Sequence, residues 1–389
     1  MKNVIPYGRQ DIDEDDINTV VQILKSDWLT QGPVIDEFEQ ATAALCDAKY
    51  AMAVTSATAA LHLACLALEI GAGDILWTSP NTFVASSNCA LYCGASVDFV
   101  DIDEKTYNMS VTALEEKLNW AKAHNKLPKV IVVVHFAGQS CDMKAIKALV
   151  EPYGIKLIED ASHAIGGRYL QTKIGSCTYS DIVIFSFHPV KIITTGEGGM
   201  LLTNSEALKK KLLLLRSHGI TRDPQLMVGN SEGAWYYQQI ALGLNYRITD
   251  IQAGLGLSQL KRINTFIQRR RELAGHYDKQ LAALPVITPW QSPDCYSAYH
   301  LYPIQIKPEN IHSRKAVFDA LREAKIGVNV HYIPVHTQPY YQALGFKKGA
   351  YPVAEAYYEK TISLPLHYCL TDNEQSYIVN SLSNILKAG

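Results

Sequence analysis

The chain has 389 residues and a mass of 43.1 kDa, which at about 150 residues per domain suggests two or three domains. With 48% hydrophobic and 19% charged residues it can bury a large core, which excludes a disordered chain. Lys and Arg total 36 against 38 Asp and Glu, and a net charge of −2 gives no broad electrostatic footprint for nucleic acid or an anionic membrane.

In chain order, Asp11 or Asp13 can cap an acidic helix running to about residue 26, with Ile17, Val20, Val21 and Leu24 on one face. The turn Gln31-Gly32-Pro33 leads into a second helix ending near Cys46. From Tyr50 onward, strands over 51–54, 75–78, 97–101, 130–134, 155–158, 182–187 and 199–203 are spaced by helices over 58–70, 83–93, 111–123 and 144–153. Short β-branched strands alternating with helices predict a mostly parallel sheet covered on both faces. After Tyr246 the spacing predicts one long helix over 249–284, its first turns weakened by Gly254 and Gly256. Pro285, Pro289 and Pro293 punctuate a linker, and the segments 299–306, 313–324 and 328–332 with a terminal helix form a smaller α+β unit.

Several features have plain explanations. Arg269-Arg270-Arg271 beside Glu272 reads as a solvated helix face. Eight cysteines without a CxxC pair suggest reduced thiols and no metal site. No apolar run nears the roughly 18 residues of a membrane span, and the N-terminus turns acidic too early for a signal peptide, so a cytoplasmic protein is expected.

Three signals fall at the expected C-terminal ends of strands, where open α/β sheets place their sites. Thr55-Ser56-Ala57-Thr58 opens a helix with small residues, whose free N–H groups suit a phosphate. Glu159-Asp160-Ala161-Ser162-His163 brings a carboxylate out of a buried strand, where it needs a cationic partner such as a protonated heterocycle. Ser186-Phe187-His188-Pro189-Val190-Lys191 puts a lysine just beyond another strand, placed for a Schiff base if its surroundings keep the amine neutral. Alone these would be a helix cap, an ion pair and a surface lysine. Together they are the inventory of a pyridoxal phosphate enzyme. Phe83 adds an aromatic face that could stack on the ring.

At these residues, and at Thr194-Thr195-Gly196-Glu197-Gly198-Gly199, Asn245-Tyr246-Arg247, His300-Leu301-Tyr302-Pro303 and Val330-His331-Tyr332, the chain resembles the DegT/DnrJ/EryC1/StrS sugar aminotransferases. The resemblance implies the aspartate-aminotransferase-like architecture called fold type I, with a large α/β domain, a mostly parallel sheet and a smaller C-terminal α+β domain. It divides the chain into an N-terminal segment over 1–30 that contributes to the active site, a cofactor domain over 31–248, a connecting helix over 249–284 and a small domain over 285–389. It implies Lys191 as the Schiff-base lysine and proton shuttle and Asp160 against the pyridinium nitrogen. Ala57, Thr58 and Ser186 would hold the phosphate of pyridoxal phosphate or pyridoxamine phosphate, with Asn245 reaching that phosphate in the partner subunit of a homodimer. His163 stands where many relatives carry Gln facing the cofactor's phenolic oxygen, and Ile192 where Pro is common.

Tyr7, the stretch Asp27-Trp28-Leu29-Thr30 and the stretch His331-Tyr332-Ile333-Pro334 would line the sugar-nucleotide pocket. Within the family the resemblance leans to enzymes that aminate a UDP-linked 4-keto-6-deoxy-N-acetylhexosamine with glutamate. A dTDP- or GDP-linked keto sugar is the sibling reading. The lysine argues against the family's dehydrases, which carry His there, and Lys191 with Asp160 argues against a non-catalytic sugar-binding relative.

Overall fold

The computed structural model describes residues 4–308 and 312–387, so the outermost residues of the terminal segments assigned above lie outside it. Seven strands make the central sheet: β1 Tyr50–Val54, β2 Ile75–Thr78, β3 Ser96–Phe99, β4 Val130–Val134, β5 Lys156–Asp160, β6 Ile182–Ser186 and β7 Gly199–Thr203. Their order is β1-β7-β6-β5-β4-β2-β3, with β7 antiparallel to both neighbours and every other pair parallel.

The doubly buried text of these strands has a direct physical outcome. In β4, Ile131 and Val133 point into one core with Phe38, Trp77 and Phe185, while Val130 and Val132 point into another with Leu61, Leu76 and Ile184. The helices α1 Glu14–Leu24 and α2 Pro33–Cys46 precede the sheet, and α3 Ala57–Ala67 and α4 Ala85–Tyr92 follow β1 and β2. Asp13 caps α1 by a reciprocal pair with Asp16: each side chain accepts from the other's backbone N–H, at 3.0 and 3.2 Å.

A third core gathers Leu273, Tyr277, Tyr302, Ile304, Ile362 and Leu382. It lies against an antiparallel sheet of Val286–Ile287, Tyr302–Ile306 and Thr361–Leu364, covered by the helices Arg314–Glu323 and Asp372–Lys387. Over 328–332 there is no strand, only a bridge from Asn329 to Ser363. The helices Glu206–Arg216 and Pro352–Lys360 were not apparent in the sequence.

The single helix expected over 249–284 is instead two, Asp250–Leu260 and Ile263–Leu281. At the break, the Arg262 guanidinium reaches the carboxylates of Asp11, Asp13 and Asp16 at 2.6, 3.0 and 2.6 Å, tying the first acidic helix to this corner. The glycines lie within the first of these helices. A Cβ at Gly254 would lie 1.9 Å from Ile23 Cδ1, and one at Gly256 would lie 2.6 Å from Phe38 Cζ, so both serve close packing of α1 and α2.

The triple arginine is likewise not a solvated face. Arg270 is 2% exposed and donates to the carbonyls of Tyr299, His300 and Leu366 at 3.3, 3.3 and 2.8 Å. Arg269 reaches Leu370 O and Asp372, and Arg271 lies 3.8 Å over the Tyr296 ring. The run stitches the C-terminal unit together. Charge spacing alone did not reveal this, because the carbonyls that receive it come from loops far away in sequence.

Among the described residues no helix is long and apolar enough to cross a membrane, and no group of three His, Cys, Asp or Glu side chains could hold a metal ion.

Candidate active site

The C-terminal edge of the parallel strands opens onto a cavity of about 520 Å³. Ala57, Thr58, Asp160, Ser186 and Lys191 all line it, with Phe83 and Tyr332 among the residues around them. A larger groove of about 720 Å³ lies at the opposite edge, by Lys129, Lys156, Asp181 and Lys211. Its charges are already paired, Lys129 with Asp74, Lys156 with Asp181 and Lys211 with Glu69, so no group there is poised for chemistry.

The anion end of the cavity is the start of α3. Ser56 caps the helix by accepting from Ala59 N–H at 3.1 Å, and Ala60 N–H donates to Ser56 O. This leaves the amides of Ala57 and Thr58 without partners among the described residues, at the positive end of the helix dipole. The helix start sits so close to β7 that a Cβ on Gly199 would lie 2.5–2.6 Å from Ser56 C and Ala57 N. The Ser186 hydroxyl, at the end of β6, also has no protein partner among the described residues.

Asp160 ends β5 and is 6% exposed. Ser86 Oγ donates to its Oδ2 at 2.6 Å and Ser162 N–H to its Oδ1 at 3.2 Å, which fixes the plane of the carboxylate. Thr82 Oγ1 lies 2.8 Å from Ser86 Oγ and orders that donor in turn. Lys191 follows β6 in a loop held at both sides of its base, by Phe187 N–H to Gly198 O and Thr195 N–H to Phe187 O. No hydrogen bond or ion pair holds its amine among the described residues. Burial pushes the Lys191 pKa down to about 8, opposed by the charge of Asp160.

Around the lysine the histidines are kept neutral. Burial, then the charge of Lys191, holds the pKa of His163 well below its usual value, and the same two causes push His331 down to about 3. Ala137 N–H donates to His163 Nδ1 at 3.3 Å, so the ring proton sits on Nε2, which is 3.2 Å from Tyr332 Oη. The His300 ring packs 4.4 Å behind His163. Phe83 is 60% exposed at the mouth, its ring 6.4 Å from that of Tyr332. Tyr7 and His331 complete the wall, their rings 5.5 Å apart, and a cis peptide joins His331 to Tyr332.

The structure thus brings Ala57, Thr58, Phe83, Asp160, His163, Ser186, Lys191, Tyr7, His331 and Tyr332 together. It does not bring in the others expected from the sequence. Asp27, Trp28, Leu29 and Thr30 are exposed and outside the cavity, because Leu29 O accepts from Asp250 N–H at 3.0 Å and Thr30 bridges Thr249. Asn245, expected at the partner subunit's phosphate and not in its own chain's cavity, is exposed and bridges Ser217. Ile333 is exposed, and Pro334 is drawn into the core beside Val335, whose N–H donates to Pro80 O. Ser86 and Thr82 were missed, because nothing near them in the sequence marks the carboxylate that Ser86 orients. Asn329 and Glu197 also line the cavity without having been singled out.

The residues present fit pyridoxal phosphate. Two free helix-start amides and the Ser186 hydroxyl suit its phosphate, an oriented carboxylate suits a protonated ring nitrogen, and an unpaired, partly neutral amine suits its aldehyde.

Comparison with known proteins agrees with this chemistry. The model of the DegT/DnrJ/EryC1/StrS aminotransferase family matches residues 10–383. The spore coat polysaccharide biosynthesis protein SpsC of Bacillus subtilis is 40% identical, over 98% of this chain and 97% of its own. A UDP-4-amino-4,6-dideoxy-N-acetyl-beta-L-altrosamine transaminase of Campylobacter jejuni is 37% identical, over 99% of this chain and 98% of its own. Among solved structures, Helicobacter pylori PseC, an aminotransferase involved in pseudoaminic acid biosynthesis, superposes with a TM-score of 0.91 at 31% identity, covering 100% of both chains. The Streptococcus pneumoniae chain Spr1654, solved in PMP and PLP forms, gives TM-scores of 0.90 and 0.89 at 31% and 30% identity, with 99% of each chain covered.

Proposed function

The chain belongs to the DegT/DnrJ/EryC1/StrS aminotransferase family, and from that premise we propose that it moves the amino group of glutamate to C4 of a UDP-linked 4-keto-6-deoxy-N-acetylhexosamine, as in pseudaminic acid biosynthesis. It is a sugar aminotransferase dependent on pyridoxal phosphate. The observation that carries the reaction type is the meeting of Lys191, Asp160 and the free amides of α3 in one cavity. The UDP-sugar acceptor is supported by the 37% identity to a transaminase of that class over nearly the whole chain.

When bound, the cofactor supplies the carbonyl that takes up an amino group and the electron sink for charge developing beside it. In this proposal the amides of Ala57 and Thr58, with the Ser186 hydroxyl, bind its phosphate and fix its position. Asp160, oriented by Ser86 and Ser162, would accept a hydrogen bond from the protonated ring nitrogen and so hold the proton on that nitrogen. Lys191 Nζ, with a pKa near 8, is neutral in part of the population at neutral pH; it can attack a carbonyl and afterwards hold and return a proton over the reacting carbon. His163 donates from Nε2, and Phe83 and Tyr332 narrow the mouth against water.

We assign Tyr7, His331 and Tyr332 to the sugar side of the cavity. Trp28 and Leu29, 55% and 45% exposed, and Asn245 are assigned to a second copy's site in a cytoplasmic homodimer, which accounts for their place outside their own chain's cavity. The alternative acceptor, a dTDP- or GDP-linked keto sugar, calls for the same chemistry at the same residues.

The test is the visible absorption of the holoenzyme. Glutamate should bleach the cofactor band, and UDP-4-keto-6-deoxy-N-acetylhexosamine should restore it. Restoration only by a dTDP- or GDP-sugar overturns the UDP assignment, and a protein whose spectrum glutamate leaves untouched overturns the glutamate donor.

A further inference from the structure

One wall of the cavity is a tyrosine held from several sides. The Tyr332 backbone N–H donates to Asn81 Oδ1 at 3.2 Å, and Asn81 Nδ2 donates in turn to Tyr107 O at 3.2 Å. The Tyr332 ring meets Phe136 edge-on at 6.1 Å and lies nearly parallel to the His163 ring, at 20° and 6.2 Å. Its Oη lies 3.2 Å from His163 Nε2. The direction of that hydrogen bond follows from the other side of the imidazole. There Nδ1 accepts from Ala137 N–H at 3.3 Å, and a neutral ring has one proton, so Nε2 donates and Tyr332 Oη accepts. The phenol keeps its own proton, because burial raises its pKa above the usual value. No protein acceptor takes that proton among the described residues, and both rings line the cavity with Asp160 and Lys191. The phenolic oxygen of pyridoxal phosphate is on the ring carbon next to the one that bears the aldehyde, so the wall that faces the reacting carbon also faces that oxygen.

We propose that Tyr332 is the hydrogen-bond donor to the cofactor's phenolic oxygen, and that His163 is a positioning residue that acts through Tyr332 and not on the cofactor itself. The resemblance puts a direct contact at His163, three residues after Asp160, but the one proton of this histidine is committed to Tyr332. Drawing charge from Oη, the imidazole N–H makes the phenol a stronger donor. A donor at the phenolic oxygen in turn takes negative charge from it and weakens its hold on a proton shared with the Lys191 nitrogen. The bound cofactor therefore loses that proton at a lower pH than it would without Tyr332.

The inference needs the cofactor but not the sugar acceptor, so the test is the pH at which the visible band of the substrate-free holoenzyme changes. Tyr332→Phe keeps the ring packing and the backbone bond to Asn81, and should raise that pH by about one unit or more. His163→Leu should raise it by less, and His163→Gln, which keeps an N–H donor, should return it towards the wild-type value. In a Tyr332→Phe background, His163→Leu should add nothing. A Tyr332→Phe band that titrates as in wild type overturns the proposal. So does a His163→Leu shift of equal size in both backgrounds, which places His163 on the cofactor directly. A Tyr332→Phe chain that takes up no cofactor also overturns it, because the helix-start amides, Ser186 and Asp160 are untouched. Failure of the UDP-sugar assignment would leave each of these outcomes as it is.

Discussion

Replacing Lys191 by Met should abolish turnover and, in the cofactor-free protein, make the fold more stable. The amine has an ordinary pKa of 10.5, and burial lowers it to about 8 in the folded chain. At about 1.4 kcal/mol per pH unit, holding the charged lysine in the cavity costs about 3 kcal/mol. The sign follows from proton counting. Below pH 8 the amine is charged in both states and the cost is fully present. Between 8 and 10.5 the unfolded chain binds more protons than the folded one, so stability rises with pH, and above 10.5 the cost is gone. Methionine keeps the length and packing of the stem without the charge. Urea unfolding of cofactor-free wild type and Lys191→Met should therefore differ by about 3 kcal/mol at pH 7, and the two curves should converge by about pH 10.5. Equal stability at pH 7, or a gap that does not change with pH, would refute the argument that a desolvated, unpaired amine is maintained here against the interest of the fold.

Gly199→Ala should drive a methyl group into the Ser56–Ala57 backbone, where the approach is 2.5–2.6 Å, and displace the two free amides. Pyridoxal phosphate affinity, titrated by absorbance into cofactor-free protein, should fall at least tenfold with about 1–3 kcal/mol lost from stability; unchanged affinity would remove those amides from the phosphate site. Arg270→Leu should leave the carbonyls of Tyr299, His300 and Leu366 buried without a donor, and cost about 3 kcal/mol in a denaturant titration. An unaltered midpoint would show that water replaces the guanidinium.

What the sequence made legible tracks the range over which each property is decided. The β-branched run Val130–Val134 forms a strand whose ends match its apolar text, because burial on both faces is written into consecutive residues. Asp160, Ser186 and Lys191 were readable because a polar residue at the end of such a strand has few places to go. Ser86 was not, since a serine within a short helix carries no mark of the carboxylate that it orients 74 residues away. The break between Leu260 and Ile263 and the burial of Arg270 depend on carboxylates and carbonyls that arrive from distant segments. The stretch from Asp27 to Thr30 shows a related difficulty: its aromatic and polar composition suits a binding site, but its own chain anchors it elsewhere, at Thr249 and Asp250.

The reversed strand β7 has a mechanical consequence. After β1 and β2 the chain leaves the catalytic edge into the helices α3 and α4. The lysine segment leaves β6 at Ser186 and re-enters the neighbouring strand at Gly199, so both its feet stand on adjacent rails of one ladder. Asp160 stands on the next rail, at β5, in register with Ile184. The backbone of Asp160 and the point at which the lysine segment leaves the sheet are therefore spaced by the interstrand repeat, about 4.8 Å. Substitutions deep in the sheet that shear β5 against β6 would move Asp160 relative to both feet of the lysine segment at once.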